Sequence, residues 1–288
     1  MNAASPAAGR ADQAQPADRR RSAPRFWLEA ARRWFAFGAP NAGRSENVEP
    51  GHSYPPAPEG ETLYVIGDVH GRADCLVSAQ ARIDRDRGAA STAREIYLGD
   101  YVDRGPDSKT VLDLMSARAQ ATNVVALRGN HETAMQSFLA GRLPFAAWRA
   151  LGGAETLLSY GFAASDLRRA EGPRREEFAA RLPDVHRRFL ARLGAFHRAG
   201  DYVFVHAGLR PGVALENQNV DDLTGIRAEF LHHEGGLGFI VVHGHTPVER
   251  VDFRSNRINL DTGAYVSNRL SVLRIDAAGA ALLAPEAP

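Results

Sequence analysis

Three stretches decide the fold: Leu63-Tyr64-Val65-Ile66-Gly67-Asp68-Val69-His70-Gly71, Ile96-Tyr97-Leu98-Gly99-Asp100-Tyr101-Val102-Asp103-Arg104-Gly105 and Val124-Val125-Ala126-Leu127-Arg128-Gly129-Asn130-His131-Glu132. Each begins as an apolar run too short for a helix and closes on a glycine followed by a polar cluster. Residues 73–87 and 107–118 between them read as helices, and residues 132–139 continue as a helix after the third run. Strand–helix alternation at this spacing predicts a parallel sheet covered by helices. Downstream, residues 137–199 read as helical and arginine-rich, and strands return at 202–206, 239–243, 257–261 and 269–275.

The 288-residue chain is 44% hydrophobic and 24% charged, which supports a packed core and argues against disorder throughout. A net charge of +1 supplies no basic field for nucleic acid, and Lys109 is the only lysine. The single cysteine, Cys75, excludes an intramolecular disulfide framework, fits a reducing, cytoplasmic setting and reads as a small buried residue. No run approaches the roughly 18 apolar residues of a membrane-spanning helix. Residues 1–58 differ from the rest: stretches rich in Ala, Pro, Gly and Ser flank residues 25–37, which could form one short aromatic helix. Arg32-Arg33-Trp34-Phe35 lacks the apolar run that an export signal needs, and one amphipathic helix gives at most a weak peripheral membrane contact. The expected division is an N-terminal arm over 1–58, disordered or weakly helical, and one catalytic domain over 59–288.

In open α/β sheets the carboxyl ends of parallel strands lie side by side, and ligands bind at that edge. Asp68, His70, Asp100 and Asn130 each follow a predicted strand, so they should gather there. Val205-His206-Ala207-Gly208 and Val242-His243-Gly244-His245 bring imidazoles to the same edge. Carboxylates packed this closely repel unless a cation lies between them. A mixed oxygen and nitrogen donor set suits manganese, iron or zinc better than calcium. With Asp100 central, the economical arrangement is two divalent ions about 3.5–4 Å apart, poised for in-line displacement at phosphorus. His243 or His245 could supply the last donor.

Gly67-Asp68-Val69-His70-Gly71, Gly99-Asp100-Tyr101-Val102-Asp103-Arg104-Gly105, Gly129-Asn130-His131-Glu132, His206-Ala207-Gly208-Leu209 and Gly244-His245-Thr246, in this order, resemble the calcineurin-like metallophosphoesterases. Within them the match is to the bacterial phosphoprotein phosphatase branch, over residues 61–276. The resemblance implies an α/β fold, a sandwich of two mixed β-sheets flanked by helices, with a dinuclear site between strand ends. It implies that Asp68 and His70 hold one ion, that Asp100 bridges, and that Asn130, His206 and His245 hold the other. Manganese comes first among the candidate metals, with iron or zinc as alternatives, and His243 falls outside the ligand set. Pro247 stands where diesterase branches carry a further histidine. Hydroxide held between the ions would attack phosphorus directly, with His131 protonating the leaving oxygen, Asp103 orienting His131 and Arg104 holding two phosphate oxygens. Arg227, in Ile226-Arg227-Ala228-Glu229-Phe230-Leu231, matches the second arginine of this clamp, although Gly225 stands where relatives often have tryptophan.

The function expected is a metal-dependent phosphomonoesterase, a serine/threonine protein phosphatase acting on phosphoproteins or small phosphate esters. The alternative is a symmetrical dinucleoside tetraphosphate hydrolase; such relatives tend to carry glutamine and asparagine where this chain has His70 and Asp103. A catalytically dead binding module would have lost a ligand, and none of the six is missing. The Ser-Ala-Pro-Asn-Tyr segment of eukaryotic phosphatases is absent, and Asp261-Thr262-Gly263-Ala264-Tyr265 stands near its place. That run reads as a structural turn, with Asn259 or Tyr265 near the substrate as a second choice, and His232 and His233 read as a solvated helix end.

Overall fold

The computed structural model describes Met1 and residues 54–88, 92–121 and 123–284; the helix expected over 25–37 and most of the arm lie outside them. Strands β1 (Thr62–Ile66), β2 (Ala93–Tyr97) and β3 (Val124–Ala126) pair in parallel, as the alternation of strands and helices predicts. On the far side of β1, β9 (Val272–Asp276) and β10 (Gly279–Leu282) add antiparallel, giving the order β10-β9-β1-β2-β3. The second mixed sheet contains β4 (Phe196–Ala199), β5 (Tyr202–Val205), β6 (Ile240–His243), β7 (Asp252–Phe253) and β8 (Arg257–Asn259), in the order β4-β5-β6-β8-β7.

Side-chain alternation stacks the two sheets. Leu63 and Val65 of β1 point into a core shared with Tyr202, Phe204, Val242 and Ile258 of the second sheet. Tyr64 and Ile66, one residue out of step, face the helical side. There α1 (Ala73–Arg87), α2 (Ser108–Arg118) and α3 (Asn130–Leu139) follow β1, β2 and β3 in turn. Four more helices follow: α4 (Phe145–Ala150), α5 (Gly153–Ser159), α6 (Glu171–Arg181) and α7 (Asp184–Ala191). Trp148 centres this layer, stacked on Phe138 at 4.8 Å and tilted against Phe178 at 5.6 Å. On the opposite face of the sandwich, α8 (Val220–Gly225) and α9 (Ala228–Leu231) cover β5 and β6, with Phe230 against Val203, Val205 and Val241.

Two expectations change. The helical reading of 137–199 overruns β4, which forms a hairpin with β5 across Gly200 and Asp201, Gly200 taking φ 57°. Being an edge strand, β4 leaves Phe196 and Arg198 exposed, so no buried stripe marks it in the sequence. The proline-rich run 54–58 reads as linker but packs on the domain. Ala57 N–H donates to Asp276 O at 2.9 Å, Tyr202 Oη donates to Pro55 O at 2.5 Å, and Ala57 is buried. Cys75 is buried as expected, and no helix among the described residues is long and apolar enough to cross a membrane.

Candidate metal centre

The six predicted donors come together at the carboxyl edge of both sheets. Asp68 and His70 follow β1, Asp100 follows β2, Asn130 opens α3 just past β3, His206 follows β5, and His245 lies two residues beyond β6. Tight loops aim them. Among the described non-glycine residues, positive φ occurs at His70 (46°), Asp100 (51°), Asp103 (70°), Arg104 (67°), His245 (67°) and Asn268 (58°), and all but Asn268 belong to this site. Left-handed backbone costs about 1–2 kcal/mol per residue with a Cβ, and such strain persists only where the surroundings over-determine it. Close glycines are part of that frame. A β-carbon on Gly129 would sit 2.0 Å from Asp100 Oδ1, and one on Gly244 would sit 1.9 Å from Asp68 Oδ1.

Glu132 provides the rest of the frame. Its buried carboxylate accepts four backbone N–H groups, from Gly129 (2.9 Å) and Asp100 (3.0 Å) at Oε2 and from Tyr101 (2.7 Å) and Val102 (3.2 Å) at Oε1. Burial and the nearby Asp100 carboxylate raise it to about 7 against the pull of those donors. The motif Gly129-Asn130-His131-Glu132 carries a signal for it: a glutamate three residues after the N-cap can reach back to the N-cap N–H, the returning half of a capping box, as Glu132 does to Gly129.

Proton accounting tests whether the donors fit cations. His70 Nδ1 lies 3.0 Å from Val102 O and His206 Nδ1 lies 3.1 Å from Leu98 O, so each donates there and, when neutral, presents a lone pair at Nε2. Those lone pairs face Asp100 Oδ2 at 3.5 and 3.4 Å, acceptor against acceptor. Asn130 Oδ1 lies 3.0 Å from His206 Nε2 and 2.9 Å from His245 Nδ1. Asp68 Oδ1, His70 Nε2 and His245 Nε2 are buried with no partner among the described residues. Burial, then the charge of Asp261, pushes Asp68 well above the usual carboxylate range, while His206, His131 and His70 hold Asp100 well below it despite its burial. Burial opposes charge on His206, yet Asp100 and Asp68 raise it to about 9; burial and the neighbouring His206 drive His245 down to about 2. One proton on His206 would satisfy one of these contacts and leave the others unpaired. Divalent cations satisfy them together, so the donors fit a metal pair around Asp100.

On the other side of Asp100 the polar groups are fully wired. His131 Nδ1–H donates to Asp103 Oδ2 at 2.8 Å, and Asp103 also accepts from Trp148 Nε1 (3.0 Å, Oδ2) and Thr156 Oγ1 (2.7 Å, Oδ1). Asp103 N–H donates in turn to Ser108 Oγ and Thr156 Oγ1. Arg104 Nη2 donates to His131 Nε2 at 3.0 Å, so in this arrangement that nitrogen accepts. His131 forms a compact group with His70 and Asp100, but both of its nitrogens are engaged by Asp103 and Arg104. Arg104 also lies over the Tyr265 ring at 4.9 Å. Arg227 reaches the same mouth: its Nη1 donates to Thr246 Oγ1 at 3.2 Å, and burial and Arg104 lower its pKa. A β-carbon on Gly225 would meet nothing within 4 Å, so that wall is open. His243 turns away from the cluster and packs edge-on against Phe230 at 5.0 Å.

A parallel-strand edge with paired acidic and imidazole donors defines a hydrolase of the metal-assisted class, and a family model identifies which. Residues 62–277 match the calcineurin-like phosphoesterases, and the chain belongs to that family. It is a phosphoric ester hydrolase of a family that works with a dinuclear divalent metal centre. Among curated proteins it is similar to the asymmetrical bis(5'-nucleosyl)-tetraphosphatase PrpE of Anoxybacillus flavithermus, 26% identical over 230 residues, 73% of this chain and 89% of the relative. The protein of the same name from Bacillus subtilis is 24% identical over 230 residues, with the same coverage. Among solved structures, a candidate diadenosine tetraphosphatase shares the fold, with a TM-score of 0.55 at 18% identity over 80% of this chain and 97% of that one.

Proposed function

We propose that this chain is a metal-dependent phosphomonoesterase that removes phosphate from phosphoserine or phosphothreonine in proteins. Asp68, His70 and Asp100 hold one divalent ion, and Asp100, Asn130, His206 and His245 hold the second, with manganese the first candidate. Bound ions supply an activated solvent nucleophile and neutralise charge on the phosphoryl group. Arg104 and Arg227 then bind phosphoryl oxygens. Arg104 leaves His131 to do so, and His131 Nε2, once free, takes a proton from solvent and passes it to the leaving oxygen while Asp103 holds the ring. The observation that carries this reading is the buried His131–Asp103 pair at 2.8 Å, braced by Trp148 and Thr156. An alkoxide leaving group, unlike a polyphosphate, depends on such an acid. The catalytic domain is residues 59–288, with residues 54–58 of the arm packed on it, the rest of 1–58 as a tether and the cytoplasm as its setting.

A second reading, dinucleoside tetraphosphate hydrolysis, has one observation in its favour: the name carried by relatives that this chain matches over 89% of their length. That name specifies the asymmetrical reaction, whereas the alternative drawn from the sequence was the symmetrical one. Side-by-side assays with manganese on a phosphopeptide, para-nitrophenyl phosphate and diadenosine tetraphosphate separate the readings. The phosphopeptide is expected to turn over fastest; turnover of the dinucleotide faster by orders of magnitude would reverse the ranking, and its products would give the cleavage symmetry.

A further inference from the structure

Asp261 is an acidic side chain at this edge to which the roles above give no task. It lies two residues beyond β8, so the second sheet sends a polar side chain to the site from each of its three parallel strands: His206 from β5, His245 from beyond β6 and Asp261 from beyond β8. Backbone contact fixes its place. A β-carbon on Gly67 would lie 2.6 Å from Leu260 O, so Asp68 and Asp261 are the next residues on two touching segments.

Asp261 is 1% exposed. Its Oδ1 accepts Gly263 N–H at 2.9 Å, closing a turn in which Gly263 has φ 63°. That turn needs no charge, because asparagine or serine would accept the same bond. What a carboxylate adds is its second oxygen, and Oδ2 is buried with no partner among the described residues. Leaving a buried acceptor unpaired costs about 1–3 kcal/mol, more when it is charged. Asp68 Oδ1 is in the same condition on the adjacent segment. Two neighbouring buried acids, each with an unpaired oxygen, persist where positive charge and its solvent complete them.

We propose that Asp261 is a positioning residue of the metal centre, its Oδ2 accepting a hydrogen bond from solvent on the ion held by Asp68 and His70 and so tightening that ion. The inference rests on the metal-site reading above. It assigns the carboxylate to a task that the turn alone does not require.

The test uses the full-length protein loaded with manganese, with ion loss followed by graded chelator competition. Wild type is expected to release two ions. Asp261→Asn and Asp261→Ser, which both keep an acceptor for Gly263 N–H, should still bind two, with one of them weakened by about 10–100-fold. Thr262→Ala loosens the same turn, since Thr262 Oγ1 donates to Arg269 O at 2.9 Å, but keeps the carboxylate and should leave both affinities unchanged. Wild-type affinities in both Asp261 variants, an equal loss in Thr262→Ala, or failure of the Asp261 variants to fold in saturating manganese would each overturn the assignment. A wild-type protein that takes up no manganese would instead overturn the metal-site reading.

Discussion

Around Asp100 the molecule has two unlike halves. On the His131 side the protein itself satisfies the chemistry: Asp103 takes bonds from His131, Trp148 and Thr156, and Arg104 takes the remaining imidazole nitrogen. On the Asp68 side, Asp68 Oδ1, His70 Nε2, His245 Nε2 and Asp261 Oδ2 are buried without partners among the described residues. Both halves lie within one frame of strand ends and left-handed loops, so the difference lies in what completes them. Folding alone completes the His131–Asp103 half, whereas the donors of the other half fit cations.

The comparison breaks most visibly under chelation. Stripping divalent ions should lower turnover by about 10³-fold or more, since ion stabilisation is worth several kcal/mol, and added manganese should restore it. The near-ultraviolet signal of Trp148 should barely change meanwhile, because its bond to Asp103 belongs to the self-sufficient half. Next, His131→Ala and Asp103→Asn should each lower kcat by about 10²–10⁴-fold while metal content stays at two ions, measured on the same samples. Metal loss in either variant would mean that the halves are not separable. Arg104→Ala should reduce kcat/KM by about 10–100-fold, as expected for losing charged hydrogen bonds to phosphate, with a smaller loss for Arg227→Ala at the more open wall. The smallest effect belongs to Trp148→Phe. It keeps the stack on Phe138 but drops one bond to a buried carboxylate, so thermal unfolding should report a loss of about 1–3 kcal/mol and kcat should fall only a few-fold.

The ligand set was legible because each member follows a strand, and a parallel edge gathers whatever comes next. Asp68, Asp100 and Asn130 needed only the strand–helix alternation to be placed together. The wiring of the other half was not legible, because Trp148 and Thr156 reach Asp103 across 45 and 53 residues from short helices whose order follows from packing. Edge strands escaped for a related reason: β4 exposes alternate side chains, and β7 has two residues, so neither carries a buried stripe. Asp261 was read as a turn residue. Its bond to Gly263 bears that out for one oxygen, and pattern reading has no means of asking about the other.

The left-handed residues have a consequence for how this protein can change. At positions 70, 100, 103, 104 and 245 glycine would relax the backbone, while each natural side chain has a place in the site. At Asp103 the three bonds it accepts outweigh that relief, whereas at His70 and His245, each with a buried unpaired Nε2, heat resistance alone would favour the change. At those two positions durability and turnover pull against each other.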